Sequence, residues 1–238
     1  MNHLDYYKFQ TQARGVAGLK DIQKIAFSRS HIYQRIVLPH LPQKMECNIV
    51  ELACGHGSFL YWLKHTGYRQ ITGIDSSLEQ VTAARTVGCP IQQADVMEWL
   101  ARQSTQSVNV LLGIDLAEHL SKDSFMELLK ESNRVLSAGG TLVLRYPNGD
   151  SPLVGLNLFN DITHVWTYTT NCIETLSKMH GFSSVQFKDE SDAALRDARW
   201  LKVPVSKAST FIMRQLVRAA TREDIRYWSP HIWAFLKK

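Results

Sequence analysis

Strand and helix patterns alternate regularly through the middle of this 238-residue chain, and this alternation restricts the possible fold more than any other feature. Short aliphatic runs predict strands, and amphipathic 3.6-residue periodicity predicts the helices between them. The predicted strands are 48–52, 70–74, 91–94, 108–113 and 141–145, and the predicted helices are 58–65, 78–86, 97–102 and 122–136. Such alternation over about 100 residues indicates a parallel sheet covered by helices on both faces.

The pattern changes after Pro147. A long irregular segment precedes a predicted helix at 171–179 and two predicted strands, 185–188 and 232–236, which we expect to pair as an antiparallel edge. The result is a mostly parallel, doubly wound sheet of seven strands with an antiparallel last strand. We expect one domain, divided into a helical cap (1–45), a sheet core (46–148), a following segment that contains the next helix and strand (149–188), a helical insertion (189–231) and the last strand (232–238).

Composition excludes several classes of protein. No stretch approaches the roughly 18 consecutive apolar residues of a membrane-spanning helix, and the first residues lack the apolar run of a signal peptide, so we expect a cytoplasmic protein. The four cysteines are scattered singly, as expected for reduced thiols. A net charge of +5 is modest, and because no nucleic-acid-binding motif accompanies it, we expect no nucleic-acid partner. The oligomeric state is left open.

A glycine loop, Cys54-Gly55-His56-Gly57, lies between the first predicted strand and its helix. Small residues let the backbone turn tightly and approach a ligand beside a helix N-terminus. Leu60 takes the place of a third glycine, so a dinucleotide fingerprint fits poorly, and no Gly-Lys-Ser/Thr sequence indicates a triphosphate loop.

Acidic residues end the first three strands. Glu51 ends the first, Asp75 the second, where it suits ribose hydroxyls, and Asp95 the third, where it suits an adenine amino group. The alternative is that Asp75 and Asp95 only cap helices, as Ser76 is expected to do. The shared edge of the sheet favours a nucleoside site.

This constellation closely resembles the class I S-adenosylmethionine-dependent methyltransferases, which have a Rossmann-like fold. The matching segments are VELACGHGSFL, GIDSSLEQVTAAR, QQADVMEWL, LLGIDLAEHL and RVLSAGGTLVLRYPN, which together cover residues 48–148 almost without gaps. Ala53 departs from the glycine that is usual in the family, a change that we expect to be tolerated.

The resemblance implies a role for each matching residue toward S-adenosylmethionine, whose product is S-adenosylhomocysteine. The predicted cofactor-binding set is Glu51, Ala53, Gly55 and Gly57 around the methionine moiety, Asp75 with Ser76 at the ribose, Asp95 and Val96 at the adenine, and Asp115 below the sulfonium.

The segment from Arg145 to Phe182 and the closing SPHIWAFLKK are similar to bacterial methyltransferases of polysaccharide gene clusters. Those enzymes modify sugars of lipopolysaccharide, O-antigen or capsule. The resemblance therefore implies a glycan or glycolipid acceptor.

Two histidines are candidates for activating an acceptor hydroxyl, which needs a base or a metal to take its proton. His164 is the first candidate for the base, with Asp161 expected to orient its imidazole. The alternative is that the two residues only form a local hydrogen bond that stabilises the loop. His119 is expected to support the same pocket.

Asp115, Glu118 and His119 would share one side of a helical turn. Such a set could bind Mg²⁺, as a similar turn does in some quinone-pathway methyltransferases. We favour a loop-bracing role instead, so no metal is expected.

A basic amphipathic helix is predicted at 207–222, where Arg214, Arg218 and Arg222 recur every four residues. It would either lie on an anionic membrane at the inner face or pack on protein.

The expected function is therefore methyl transfer to a sugar hydroxyl of a bacterial glycan or glycolipid, with His164 as general base. The alternatives are a metal-assisted methyltransferase of quinones or other small molecules, using Glu118 and His119, and a non-catalytic cofactor-binding scaffold.

Overall fold

The computed structural model describes residues 18–190, 202–222 and 224–238. Their helices are α1 (Leu19–Ile32), α2 (Ser58–Thr66), α3 (Leu78–Arg85), α4 (Val96–Arg102), α5 (Lys122–Val135), α6 (Gly155–Leu158), α7 (Thr170–Met179) and α8 (Lys202–Thr221). The strands are β1 (Ile49–Leu52), β2 (Ile71–Asp75), β3 (Ile91–Gln93), β4 (Val108–Ile114), β5 (Leu136–Pro147), β6 (Ser184–Asp189) and β7 (His231–Lys237). A π-helical turn (Tyr33–Val37) and two 3₁₀ turns (Leu38–His40 and Ala117–His119) complete the described elements.

The seven strands form one sheet in the order β3-β2-β1-β4-β5-β7-β6. Strands β1 to β5 are parallel to one another, and β7 runs antiparallel to both β5 and β6. The predicted fold class is confirmed. The expected antiparallel pair of β6 and β7 forms one edge of the sheet, with β6 outermost and β7 next to β5.

Successive side chains of each strand lie on opposite faces of the sheet, so the core is divided into two clusters. Ile49, Leu112 and Val143 belong to the cluster on one face, whereas the neighbouring Val50 and Leu111 belong to the cluster on the other. Strands buried on both faces read as continuous apolar runs, which is why these segments were recognisable from sequence.

The elements before β1 cover one of these faces. Ile22 and Ala26 of α1 and Tyr33 of the π turn pack in the same cluster as Trp62 and Trp233. The aromatic rings of Tyr33 and Phe59 meet edge to face, with centroids 4.6 Å apart. Of the predicted cap at 1–45, residues 1–17 lie outside the described residues.

Two predicted boundaries differ from the structure. The helix predicted at 122–136 ends at Val135, because Leu136 already pairs with Val108 of β4. The next pair is Val110 with Thr141, so residues 137–140 bulge out of the ladder at Gly139, whose φ is 71°. The glycines mark this bulge and not a helix end.

The insertion between β6 and β7 contains α8, which begins at Lys202 and includes most of the predicted basic helix. Residues 191–201 and 223 of this insertion lie outside the described residues. None of the described helices combines the length and the hydropathy needed to cross a membrane.

Candidate active site

The glycine loop is held against the end of β2 by Asp75. The Gly55 N–H donates to Asp75 Oδ2 at 2.8 Å, and the Ser77 N–H donates to Asp75 Oδ1 at 2.9 Å. Burial raises the pKa of Asp75, and the backbone donors act against that shift. Asp75 therefore organises the loop, and the remaining lone pairs of its carboxylate can still accept from a ribose hydroxyl.

Three residues of this loop have left-handed backbone conformations. Ala53, Gly55 and Gly57 have φ values of 53°, 53° and 81°. At Gly57 a Cβ atom would also lie 3.2 Å from Ala84 and Val87, so only glycine lets the start of α2 approach α3 this closely.

Ala53 is thus strained where glycine would not be. We expect Ala53→Gly to raise the free energy of unfolding by roughly 0.5–1 kcal/mol, because relief of the left-handed strain exceeds the entropy that glycine adds to the unfolded chain. Urea denaturation checks this, and a destabilised variant would contradict it.

Glu51 supplies a buried acidic group beside the loop. Burial raises its pKa well above the ordinary value, and the neighbouring Asp75 and Asp115 raise it further. Its Oε2 atom is buried without a hydrogen-bond partner among the described residues. The ammonium group of a bound methionine moiety would satisfy this oxygen, so loop and carboxylate both fit S-adenosylmethionine.

The other residues predicted to bind adenosine lie at the N-terminal ends of α3 and α4. Asp95 Oδ1 caps α4 by accepting from the N–H groups of Met97 and Glu98 at 2.8 and 3.1 Å, and Val96 is buried in the core. The cap of α3 is Ser77, which accepts from the Gln80 N–H, and not Ser76 as predicted. The Ser76 carbonyl instead accepts from the Gln93 side chain. Asp95 therefore caps α4 through Oδ1, and its contact with adenine stays a prediction.

Asp115 directly follows β4 and has a φ of 54°, and an ion pair with Arg145 holds its side chain. Burial alone would raise the pKa of Asp115, but the Arg145 guanidinium holds it below the ordinary value. Arg145 also bonds Glu190 Oε1 at 2.5 Å, which in turn accepts from the Trp233 indole at 3.0 Å. Sequence reasoning missed Glu190, since only the pairing of β7 with both β5 and β6 brings it here.

His231 lies close enough to this charged group to be affected by it. Burial lowers the pKa of His231 to about 4, with Arg145 lowering it and Asp115 and Glu190 raising it. Between the unfolded value near 6.5 and about 4, the unfolded chain binds a proton that the folded chain does not. The free energy of unfolding should therefore fall as the pH drops through this window, by up to about 3 kcal/mol from His231 alone.

We expect His231→Gln to remove this part of the acid sensitivity. The comparison is the difference in unfolding free energy between pH 7 and pH 4.5, measured in urea for both proteins. The other titrating groups are present in both proteins, so their contributions to the pH dependence cancel in this comparison. Equal pH dependence in the two proteins would contradict the assignment.

The turn after β4 does not form the predicted Asp115–Glu118–His119 set. Asp115 has a left-handed backbone and pairs with Arg145, and it does not belong to the cluster of candidate ligand atoms. Instead, Glu118, His119 and His164 each place one ligand atom within 4.8 Å of the others. His164 arrives because the Val165 N–H donates to the Glu118 carbonyl at 2.7 Å.

The side chain of Asp161 reaches His119 through Thr163, and the Asp161 carbonyl accepts from the His164 N–H at 3.2 Å. That Asp161 orients the His164 imidazole stays a prediction. Asp161 Oδ1 accepts from the Thr163 N–H at 2.9 Å and from the Thr163 hydroxyl at 2.6 Å, and that hydroxyl lies 3.0 Å from His119 Nδ1. Burial lowers the pKa of His119, and a charge on His164 would lower it further. Thr163 went unrecognised, although an Asp two residues before a Thr is an Asx-turn signal.

His164 is oriented by a backbone carbonyl. Its Nδ1 lies 3.0 Å from the Leu158 carbonyl, which can only accept, so Nδ1 carries the proton and Nε2 carries the lone pair. The imidazole lines a cavity of about 740 Å³ with Trp166, Phe159 and Ile162. It thus offers an accepting nitrogen to whatever occupies that cavity.

Residues 49–140 match a family model described as methyltransferase domain. A comparison with curated proteins found no match. Among solved structures, a SAM-dependent methyltransferase from Archaeoglobus fulgidus superposes with a TM-score of 0.71 at 18% identity, covering 98% of this chain and 99% of that one. A possible histamine N-methyltransferase from Thermotoga maritima gives a TM-score of 0.63 at 16% identity, with both chains covered completely.

Phosphoethanolamine N-methyltransferase 2 from Haemonchus contortus, solved with S-adenosyl-L-methionine, gives a TM-score of 0.58 at 14% identity and covers 89% of this chain and 56% of that one. These likenesses concern the fold, and the domain match concerns the segment that carries the glycine loop. Together with the geometry of that loop, they show an S-adenosylmethionine-dependent methyltransferase with a Rossmann-like fold.

Proposed function

We propose that the protein methylates a sugar hydroxyl of a bacterial glycolipid of the lipopolysaccharide or O-antigen type, with Nε2 of His164 as general base. The position of His164 carries this proposal: its Nδ1–H is committed to Leu158, and its ring lines the cavity that we assign to the acceptor. A hydroxyl acceptor requires such a group, because it must lose its proton as it becomes a nucleophile.

The bound cofactor supplies a methyl group on a sulfonium, which is already electrophilic. The acceptor oxygen forms the new carbon–oxygen bond, the electron pair of the broken carbon–sulfur bond stays on sulfur, and the hydroxyl proton passes to His164 Nε2. The remaining task of the protein is to hold the oxygen in line with the methyl group. The cavity wall performs that positioning.

The lining of the cavity favours an acceptor that has both a sugar and an apolar part. Trp166 is 46% exposed, and Lys122 Nζ lies 3.8 Å from its ring centroid, which fixes the indole as a flat platform. The C–H face of a pyranose fits such a platform. Phe159 and Ile162 are 85% and 84% exposed, and they would contact the lipid that carries the sugar.

An acceptor panel with labelled cofactor tests the proposal. It should contain a lipid-linked saccharide, the same saccharide without lipid, a polyprenylated phenol and a primary amine. Labelling of the lipid-linked saccharide, reduced by Trp166→Ala through a higher KM, is the expected result. Labelling of only the phenol or only the amine would overturn the glycan assignment.

Helix α8 supports a location at the membrane surface. Phe211, Ile212 and Leu216 are 62%, 57% and 59% exposed, so this part of the helix is not packed on the described residues. Arg218 and Arg222 are exposed beside them, while Arg214 bonds the carbonyls of Ile225 and Arg226. Exposed apolar and basic side chains on one helix favour an anionic lipid surface of the cytoplasmic face.

We expect the variant F211S/I212S/L216S to lose at least about tenfold in binding to vesicles containing anionic lipid, because three apolar side chains no longer enter the interface. Co-sedimentation measures this. Met179→Ser, which changes an equally exposed side chain at the end of α7, serves as the control. Equal binding of the triple variant would exclude α8 as the contact.

A further inference from the structure

Glu118, His119 and His164 bring one carboxylate and two imidazoles together beside the acceptor cavity. A ligand atom from each lies within 4.8 Å of the other two. We propose that these three side chains form a binding site for a divalent transition-metal ion of the Zn²⁺ type, and that a bound ion controls His164. The effect on rate rests on the proposed function, whereas ion binding does not.

The hydrogen bonds of the two imidazoles prepare both Nε2 atoms as ligands. The Leu158 carbonyl fixes the Nδ1 proton of His164. The Thr163 hydroxyl gives its own proton to Asp161, so it accepts from Nδ1–H of His119. His164 therefore carries its lone pair on Nε2, and the bond to Thr163 favours the same tautomer for His119. Metal-binding histidines typically have their second nitrogen held by a carbonyl or, here through Thr163, by a carboxylate.

The carboxylate gives the second, independent observation. Glu118 is 1% exposed, and its Oε2 atom is buried without a hydrogen-bond partner among the described residues. A buried carboxylate is costly unless a cation or donors compensate it. A dication at the three-residue cluster would supply that compensation.

The ligand types select among metals. Two imidazoles and one carboxylate suit Zn²⁺, Co²⁺ or another borderline ion, whereas Mg²⁺ prefers oxygen ligands and retains its waters. Ligands around such an ion stand about 3.4 Å apart at bond lengths near 2.1 Å. Because the ligand atoms lie within 4.8 Å of one another, each pair would have to close by at most about 1.4 Å.

Occupation of the site changes the chemistry of the cavity. The ion and an acceptor proton require the same lone pair on His164, so His164 cannot act as the general base while the ion is bound. Since the backbone N–H of Val165 ties the His164 loop to the Glu118 carbonyl, the ligands remain together in either state. The protein would therefore be active without the ion and inhibited with it.

The test is a Co²⁺ titration of the chelator-treated full-length protein, followed by its visible ligand-field bands, with Zn²⁺ as competitor. Glu118→Gln and His164→Asn should each weaken binding more than about 100-fold, because loss of an outer partner alone costs about 10–100-fold. Thr163→Val, which frees the His119 ring without removing a ligand, should fall in that lower range. His65→Asn, an exposed imidazole whose Nδ1 also bonds a carbonyl, is the matched control.

Saturating Zn²⁺ should lower hydroxyl methylation at least about tenfold, since a general base contributes at least that much. Absence of Co²⁺ bands, or equal bands in wild type and His164→Asn, would overturn the metal site and leave the base proposal standing. Ion binding that raises turnover would confirm the site and overturn the base.

Discussion

Arg145→Met should lower the free energy of unfolding by roughly 3–5 kcal/mol, because removing one partner of a buried ion pair leaves uncompensated charge. Arg145 is 3% exposed and bonds both Asp115 and Glu190. Burial alone would raise the pKa of the Glu190 carboxylate, but the guanidinium holds it below its ordinary value. Methionine fills most of the volume but offers no positive charge, so the loss is electrostatic. Urea unfolding at pH 7 measures it.

The same substitution at an exposed pair is the matched control. Arg102 bonds Glu98 at 3.1 Å with both side chains largely exposed, so Arg102→Met should cost no more than about 1 kcal/mol. The double variant R145M/E190Q should recover part of the lost unfolding free energy, because the amide removes one of the two carboxylate charges that Arg145 no longer compensates. A loss below 1 kcal/mol in Arg145→Met would show that the charged group does not stabilise the fold.

The strands could be predicted from the sequence because the apolar pattern that identifies a strand lies within the strand itself. Ile49–Leu52 and Val108–Ile114 are apolar runs buried on both faces, and no distant residue is needed to recognise them. The position of β7 between β5 and β6 depends on pairings such as Arg145 with Trp233, about 90 residues apart. Periodicity contains no such information, so the sequence predicted the antiparallel strand but not its place.

In the candidate site, too, the sequence identified residues but not their contacts. Sequence spacing located His119, His164, Glu118 and Asp115 in one region, but it could not assign their partners. An ideal helical turn put Asp115 beside Glu118, whereas the φ of 54° at Asp115 breaks that turn. Asp161 and His164 are three residues apart, yet the Asx turn directs the carboxylate to Thr163 and hence to His119. Backbone conformation in irregular segments decided both outcomes.

His164→Asn should reduce methyl transfer to a hydroxyl acceptor by about 10²–10⁴-fold in chelator-treated protein, the usual contribution of a general base. Asparagine is suitable because its side-chain amide can still donate to the Leu158 carbonyl in place of Nδ1–H. The loop is then retained while the accepting nitrogen is removed. The loss should appear in kcat, with cofactor affinity unchanged, because His164 lies outside the glycine loop.

The control is His65→Asn, in which the lost imidazole also bonds a backbone carbonyl, that of Tyr61 at 2.8 Å, but stands at the end of α2. It should retain full activity. A second comparison uses an acceptor that needs no proton removal, such as a phosphate or carboxylate oxygen placed in the same cavity. Methylation of that acceptor should be nearly equal in wild type and His164→Asn. If instead both acceptors slow equally, His164 positions the acceptor, and the hydroxyl loses its proton by another route.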